Sequence, residues 1–180
     1  TPRCPRIRGT ARERGGSGVS IRPIRLIGDP VLRTPCDPIR DITDGVRTLV
    51  RDLESTVDDE GRAGVAANQI GVTLRAFSFR HEDLGVGHIL NPRIVELSDE
   101  QQHDDEGCLS VPGLWFPRTR AAYARCVGTT VDGDDIEIAG DDVIARLIQH
   151  EVGHLDGELY IDGLERSVRK RALRAIRETF

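Results

Sequence analysis

One stretch near the C-terminal end restricts the fold more than any other. Residues 141–155 read as a helix in which Val143, Leu147, His150 and His154 form one stripe. Ile144, Ile148, Val152 and Leu155 form the stripe beside it. A helix apolar over two adjacent stripes has to be packed centrally, and imidazoles inside those stripes need partners, because an unpaired polar ring there is costly. Asp141 or Asp142 is placed to cap its start and Gly157 to stop it. Within the helix, His150-Glu151-Val152-Gly153-His154 sets two imidazoles at i and i+4, one above the other. Both can turn a nitrogen toward one metal ion, and Glu151 can then move a proton of a water held there. The spacing alone also fits two unrelated histidines on a half-buried helix.

The rest of the chain supplies something for that helix to pack against. Residues 43–58 read as a second helix, with Thr43 as its cap and Val46, Leu49, Val50, Leu53 and Val57 recurring at spacings of three and four. Residues 72–79, 87–97, 121–131 and 134–139 read as strands, with a bend at Asn91-Pro92 and a turn at Asp132-Gly133. A last helix, about 165–178, carries Val168, Leu173 and Ile176 among arginines. Strands first and helices late predict α+β: mixed or antiparallel β-sheets packed around the central histidine helix. Residues 1–18 read as a flexible Arg/Gly-rich tail that precedes one domain over 19–180, with Val19 a plausible start of translation.

Charge excludes some functions. The net charge is −5, which argues against a dedicated nucleic-acid binder. Residues 1–25 nonetheless hold seven Arg and one Glu, and residues 165–180 six basic and two acidic residues, so both ends are basic and the body is acidic. No apolar run approaches the roughly 18–20 residues that span a bilayer. The first residues contain no apolar signal segment, and cysteines 4, 36, 108 and 126 form no CxxC pair, so a cytoplasmic chain without disulfides is expected.

A catalytic tetrahedral centre needs a third protein ligand and an open fourth position. Glu158, Asp162 and Glu165 follow the histidines, and an acidic third ligand would make an HExxH metallopeptidase. The competitor is Cys108, in Glu106-Gly107-Cys108-Leu109-Ser110, which reads as a held loop between Gly107 and Pro112. A third segment, Gly64-Val65-Ala66-Ala67-Asn68-Gln69, has small residues that allow close backbone approach and ends in an amide that can face a developing oxyanion. His81, His88 and His103 show no ligand spacing and read as surface residues.

Gly64–Gln69, Glu106–Ser110 and Gln149–His154 stand in the order and spacing of the three signature motifs of peptide deformylases, and the chain resembles that family over about residues 24–166. Gly28-Asp29-Pro30, Leu90-Asn91-Pro92 and Leu155-Asp156-Gly157 add to the likeness. Two positions depart from it: Arg62 stands where the first motif usually has glycine, and Gly153 where the helix motif usually has aspartate.

The resemblance implies a hydrolase that removes the formyl group from N-formylmethionine of nascent polypeptides, releasing formate. It implies one divalent metal per chain, natively Fe²⁺ with Zn²⁺ or Ni²⁺ as substitutes, held by Cys108, His150 and His154. Glu151 would be the proton carrier, and Gln69 with the Leu109 backbone N–H the oxyanion donors. Val65, Val143 and Leu147 are candidates for the wall of the methionine slot, and backbone groups around Gly64 and Gly113 are candidates to pair with an extended peptide substrate. Glu106 would orient a ligand and, being buried, needs an arginine, for which Arg118 or Arg120 is expected. The basic C-terminal helix suggests docking on the ribosome near emerging peptides, although a solvated charged helix has the same composition. A monomer is expected. Should catalysis be lost, such a protein would only bind formylated peptides.

Overall fold

The structure, a computed structural model, describes residues 21–180. The expected tail and Cys4 lie outside the described residues. The elements follow in the order α1 (Asp44–Val57), β1 (Gly64–Ala66), β2 (Ala76–His81), β3 (Gly85–Leu97), β4 (Gln101–Cys108), β5 (Val111–Ala121), β6 (Tyr123–Thr129), β7 (Asp135–Asp141), α2 (Asp142–Leu155) and α3 (Arg166–Thr179). Short 3-10 turns occupy Pro30–Arg33, Ala67–Ile70 and Tyr160–Gly163. No described helix is long and apolar enough to cross a membrane.

Every strand pair is antiparallel. Five strands form one sheet in the order β1-β2-β3-β6-β7, and β4 with β5 forms a separate hairpin. Alternation along β2 and β3 divides the apolar residues between the two faces of the large sheet. Phe77, Phe79 and Ile89 pack with Ile148, Val152 and Leu155 of α2, while Ala76 and Leu90 pack with Leu49, Val50 and Leu53 of α1. The large sheet is therefore covered by one helix on each face. The hairpin has its own apolar layer, in which Val111, Leu114 and Phe116 meet Leu159, Ile161 and Val168.

Local chemistry sets the ends of both long helices. Thr43 Oγ1 accepts from the Val46 N–H at 3.3 Å, which caps α1 as its sequence requires. Asp141 occupies the cap position of α2 without a side-chain bond to the first turn, and Asp142 adopts a φ of +47°. The change of direction from β7 into α2 is thus abrupt. Gly157 ends α2 with a φ of +80°, and a Cβ there would stand 2.9 Å from the Arg33 carbonyl oxygen.

Three local expectations need correction. Asn91-Pro92 does not split a strand in two: β3 runs through it with a shift of register, and the Asn91 side chain bonds both backbone groups of Ile39, at 2.8 and 2.7 Å. The stretch from Gly107 to Pro112 is not a free-standing held loop but the end of a β-hairpin over residues 101–121, and Cys108 is the last residue of β4. His88 is not a surface residue. Its Nδ1 lies 2.7 Å from Glu54 Oε1 and its Nε2 accepts from the Val131 N–H at 2.9 Å, joining α1 to the β6–β7 turn.

Candidate metal centre and active site

Three elements converge where α2 passes between the end of the hairpin and the short turn after β1. Cys108 Sγ lies 3.2 Å from His154 Nε2, which lies 3.1 Å from His150 Nε2. All three ligand atoms are within 4.8 Å of one another. Tetrahedral coordination at about 2.0–2.3 Å implies ligand separations of about 3.4 Å, so the set fits a divalent ion. Among the described residues this cluster contains none of Glu158, Asp162 and Glu165. Asp162 is instead engaged with Arg33 and with the Leu159 N–H.

Electrostatics prepares the donors. Burial would raise the Cys108 thiol, but the charges and hydrogen bonds of His154 and His150 outweigh it and hold the thiol well below its ordinary value. His150 is oriented from behind: its Nδ1 is 2.7 Å from Glu106 Oε1, which directs Nε2 to the cluster. Glu106 is buried, and burial would raise its carboxyl, yet His150 and Arg120 keep it far below the ordinary range.

Arg120 grips Glu106 with two bonds, at 3.0 and 2.6 Å. Of the two arginines expected for this role, Arg120 takes it and Arg118 does not. Its guanidinium donates to the Gly163 carbonyl, because the 3-10 turn before α3 lies against that part of β5. The second cation on Glu106 is Arg146, at 2.8 Å, which also bonds the Arg118 carbonyl and Gln102. Its signal was available in the sequence: Arg146 precedes His150 by four residues and so shares its helix face.

Glu151 stands beside the cluster, almost fully buried, with Oε2 free of any partner. Burial pushes its carboxyl up to about 7, against the pull of His150 and His154. Gly64 makes room for it. A Cβ at Gly64 would lie 2.3 Å from Glu151 Oε1 and 2.6 Å from Leu147 Cδ1. Gln69 is held by its own turn, its Oε1 accepting from the Ala66 N–H at 2.9 Å. Its Nε2 then faces Cys108 Sγ at 3.5 Å and Ser110 Oγ at 3.1 Å. Asn68, a neighbour not singled out from sequence, donates to the His154 carbonyl at 2.5 Å and ties this turn to the end of α2.

A cavity of about 450 Å³ opens onto this centre. Gly64, Gln69, Cys108, Leu109, His150 and Glu151 line its floor, and Val143, Arg146 and Leu147 line the α2 wall. Arg62 and Trp115 stand at its rim. Val65 is not part of the lining. Strand alternation turns its fully buried side chain to the α1 face, among Val50, Leu53 and Leu90, which corrects its place in the expected slot. Arg62 reaches back to the Thr56 carbonyl at 2.6 Å and to Asp59 at 3.0 Å, so it leaves the floor open. Gly153 faces Glu158, whose nearest atoms would be 4.0 Å from an added Cβ.

A cysteine and two imidazoles brought to one point, a buried glutamate next to them, and a cavity beside the edge strand β1 define a metal-dependent hydrolase. The polypeptide deformylase family model matches residues 21–170. The peptide deformylase of Acidothermus cellulolyticus is 49% identical over 160 residues, covering 89% of this chain and 88% of that protein. That of Mycobacteroides abscessus is 40% identical over 175 residues, covering 88% and 89%. Among solved structures, the Thermus thermophilus peptide deformylase superimposes with a TM-score of 0.81 at 34% identity, covering 88% of this chain and 94% of that one. The Ehrlichia chaffeensis enzyme in complex with actinonin gives 0.81 at 28% identity, covering 89% and 98%. The chain belongs to the polypeptide deformylase family. Its activity is removal of the formyl group from N-formylmethionine at the start of nascent polypeptides, with release of formate.

Proposed function

We propose that this deformylation is carried out by Cys108, His150 and His154 as metal ligands, with Glu151 as proton carrier and Gln69 and the Leu109 N–H as donors to the formyl oxygen. The observation that carries the assignment is the convergence of the three ligand atoms beside a buried, unpartnered carboxylate that faces the cavity. Bound there, a divalent metal supplies Lewis acidity, lowering the pKa of water from 15.7 toward about 7. Glu151 accepts the proton of the attacking water and returns it to the leaving amine. The amide of Gln69 and the Leu109 N–H receive the charge that gathers on the formyl oxygen. Glu106, locked by Arg120 and Arg146, fixes the ring of His150 throughout.

Leu147 and Val143, with Gly64 opposite, form the slot for the methionine side chain, and the free edge of β1 pairs with the extended peptide. The mixed thiolate and imidazole set accepts Fe²⁺, which we assign as the native ion, and Zn²⁺ or Ni²⁺ in its place. Residues 19–180 act as one catalytic domain, monomeric and cytoplasmic. Arg166, Arg169, Lys170, Arg171, Arg174 and Arg177 are all exposed along α3, which supports docking of that helix on ribosomal RNA. Salt-sensitive co-sedimentation with ribosomes, lost on deletion of residues 166–180, is the expected result.

Metal analysis of Cys108→Ala tests the ligand set. The wild-type chain should carry one divalent ion and the variant none at the same free-metal level. Retention of a full equivalent by the variant would assign the third position to another residue.

A further inference from the structure

We propose that Trp115 is a specificity-determining residue, an apolar platform for the peptide side chains immediately downstream of the formylated methionine. The inference rests on the deformylase reading and extends it to the part of the substrate outside the methionine slot.

Trp115 is the single tryptophan of the chain and is 65% exposed, although it is the largest apolar side chain present. An isolated exposed apolar residue needs no explanation. This one lies at the rim of the catalytic cavity, and Val143, 58% exposed, lines the α2 wall of the same cavity.

The indole is held in place. Trp115 on β5 is paired with Gly107 on β4, the residue before the metal-ligand candidate Cys108. A Cβ at Gly107 would stand 2.7 Å from both Cδ2 and Cε2 of the ring. The ring therefore rests directly on the Gly107 backbone, and the absence of a side chain there is what lets it do so. One side of the indole is covered by strand backbone and the other is open to solvent. A rigid aromatic side chain presented in this way offers large contact area at little conformational cost.

The cavity determines what reaches it. A peptide with its formyl group at the metal centre and its first side chain in the slot must leave across the rim. The residues that follow pass the Gly107–Trp115 pair. Asp105, exposed and two residues before Gly107 on β4, lines the same cavity and disfavours acidic residues there, while the cation of Arg62 is already paired with Asp59. Apolar and aromatic second and third residues are the ones this surface fits.

The test compares formyl-Met-Leu-Phe, formyl-Met-Ala-Ser and formyl-Met-Asp-Asp on the iron-loaded full chain. The wild type should rank them in that order by kcat/KM. Trp115→Ala should raise KM for formyl-Met-Leu-Phe about tenfold, leave kcat unchanged, and alter KM for formyl-Met-Ala-Ser by less than about twofold. Trp115→Phe should restore most of the loss. Because the chain has one tryptophan, the zinc-loaded wild type gives an independent reading: the product Met-Leu-Phe should shift its emission to the blue in a saturable way. That arm stands even where Trp115→Ala fails to fold. Equal effects of Trp115→Ala on the Leu-Phe and Ala-Ser peptides, or unchanged emission at saturating product, would overturn the platform while leaving deformylation intact. No turnover of any peptide by the wild type would overturn the underlying reading instead.

Discussion

Gly64→Ala should abolish most of the activity without emptying the metal centre. The new Cβ would lie 2.3 Å from Glu151 Oε1, 2.6 Å from its Cδ and 2.6 Å from Leu147 Cδ1. Restoring ordinary contact, about 3.4 Å, moves the carboxylate by about 1 Å. Backbone relief is small, since β1 is held in register against β2 from Gly64 to Ala66 and leads directly into the turn that carries Gln69. A 1 Å displacement of a reacting group costs on the order of 10²-fold in rate. The stability loss should be that of an overpacked site, about 1–3 kcal/mol. The three atoms nearest the added methyl group belong to Glu151 and Leu147, and none belongs to Cys108, His150 or His154. The assay is kcat for formate release from formyl-Met-Ala-Ser, read beside metal content and thermal unfolding. A kcat within about twofold of wild type, with the variant folded and loaded, would refute the claim that Gly64 sets the position of Glu151.

Arg146→Met keeps the apolar stem in the cavity wall but removes one of two guanidinium groups from Glu106. It should loosen the hold on His150 and weaken metal affinity by about 10–100-fold, measured by competition with a chelator. Gly153→Ala should stabilise the protein by up to about 1 kcal/mol in thermal unfolding, because the new Cβ meets only Glu158 and at 4.0 Å. Asp162 opposes the cost of burial through Arg33 and the Leu159 N–H, and its carboxyl sits below the ordinary value of 3.8. A depressed carboxyl stabilises the fold above its unfolded pKa and loses that contribution as pH falls through the folded value. Asp162→Asn should therefore be less stable than wild type near pH 7, with the gap closing toward acid in denaturant titrations.

The helices were legible because their physics is local. In α1 and α2 the apolar spacing, the Thr43 cap and the Gly157 stop all lie within the segment they define. The hairpin was not. In β4, Gln101–Cys108, the only fully buried side chain is Glu106, so hydropathy carries no alternation. In β5, Pro112, Gly113 and Pro117 read as loop punctuation, yet a two-stranded hairpin has free edges that tolerate proline.

The centre shows the same division. The spacing of three motifs pointed to Cys108, His150, His154 and Glu151, and the structure brings these side chains together. The partner of Glu106 could not be chosen from sequence, since Arg118 and Arg120 have the same parity on β5. Only tertiary packing sends Arg118 to Gly163 and brings Arg146 to the carboxylate. Val65 failed as a slot residue because a three-residue strand alternates, and the motif does not say which face looks at the cavity.

If Glu151, beside a Cys/His/His metal centre, drives hydrolysis of the formyl group, its removal should stop the reaction and leave the metal in place. The measurement is formate release from formyl-Met-Ala-Ser with the iron-loaded chain prepared without oxygen, alongside Glu151→Ala. The wild type should turn over and the variant should lose at least about 10²-fold, with one metal per chain in both. Equal turnover by the two proteins, or none by a fully loaded wild type, would contradict this role of Glu151.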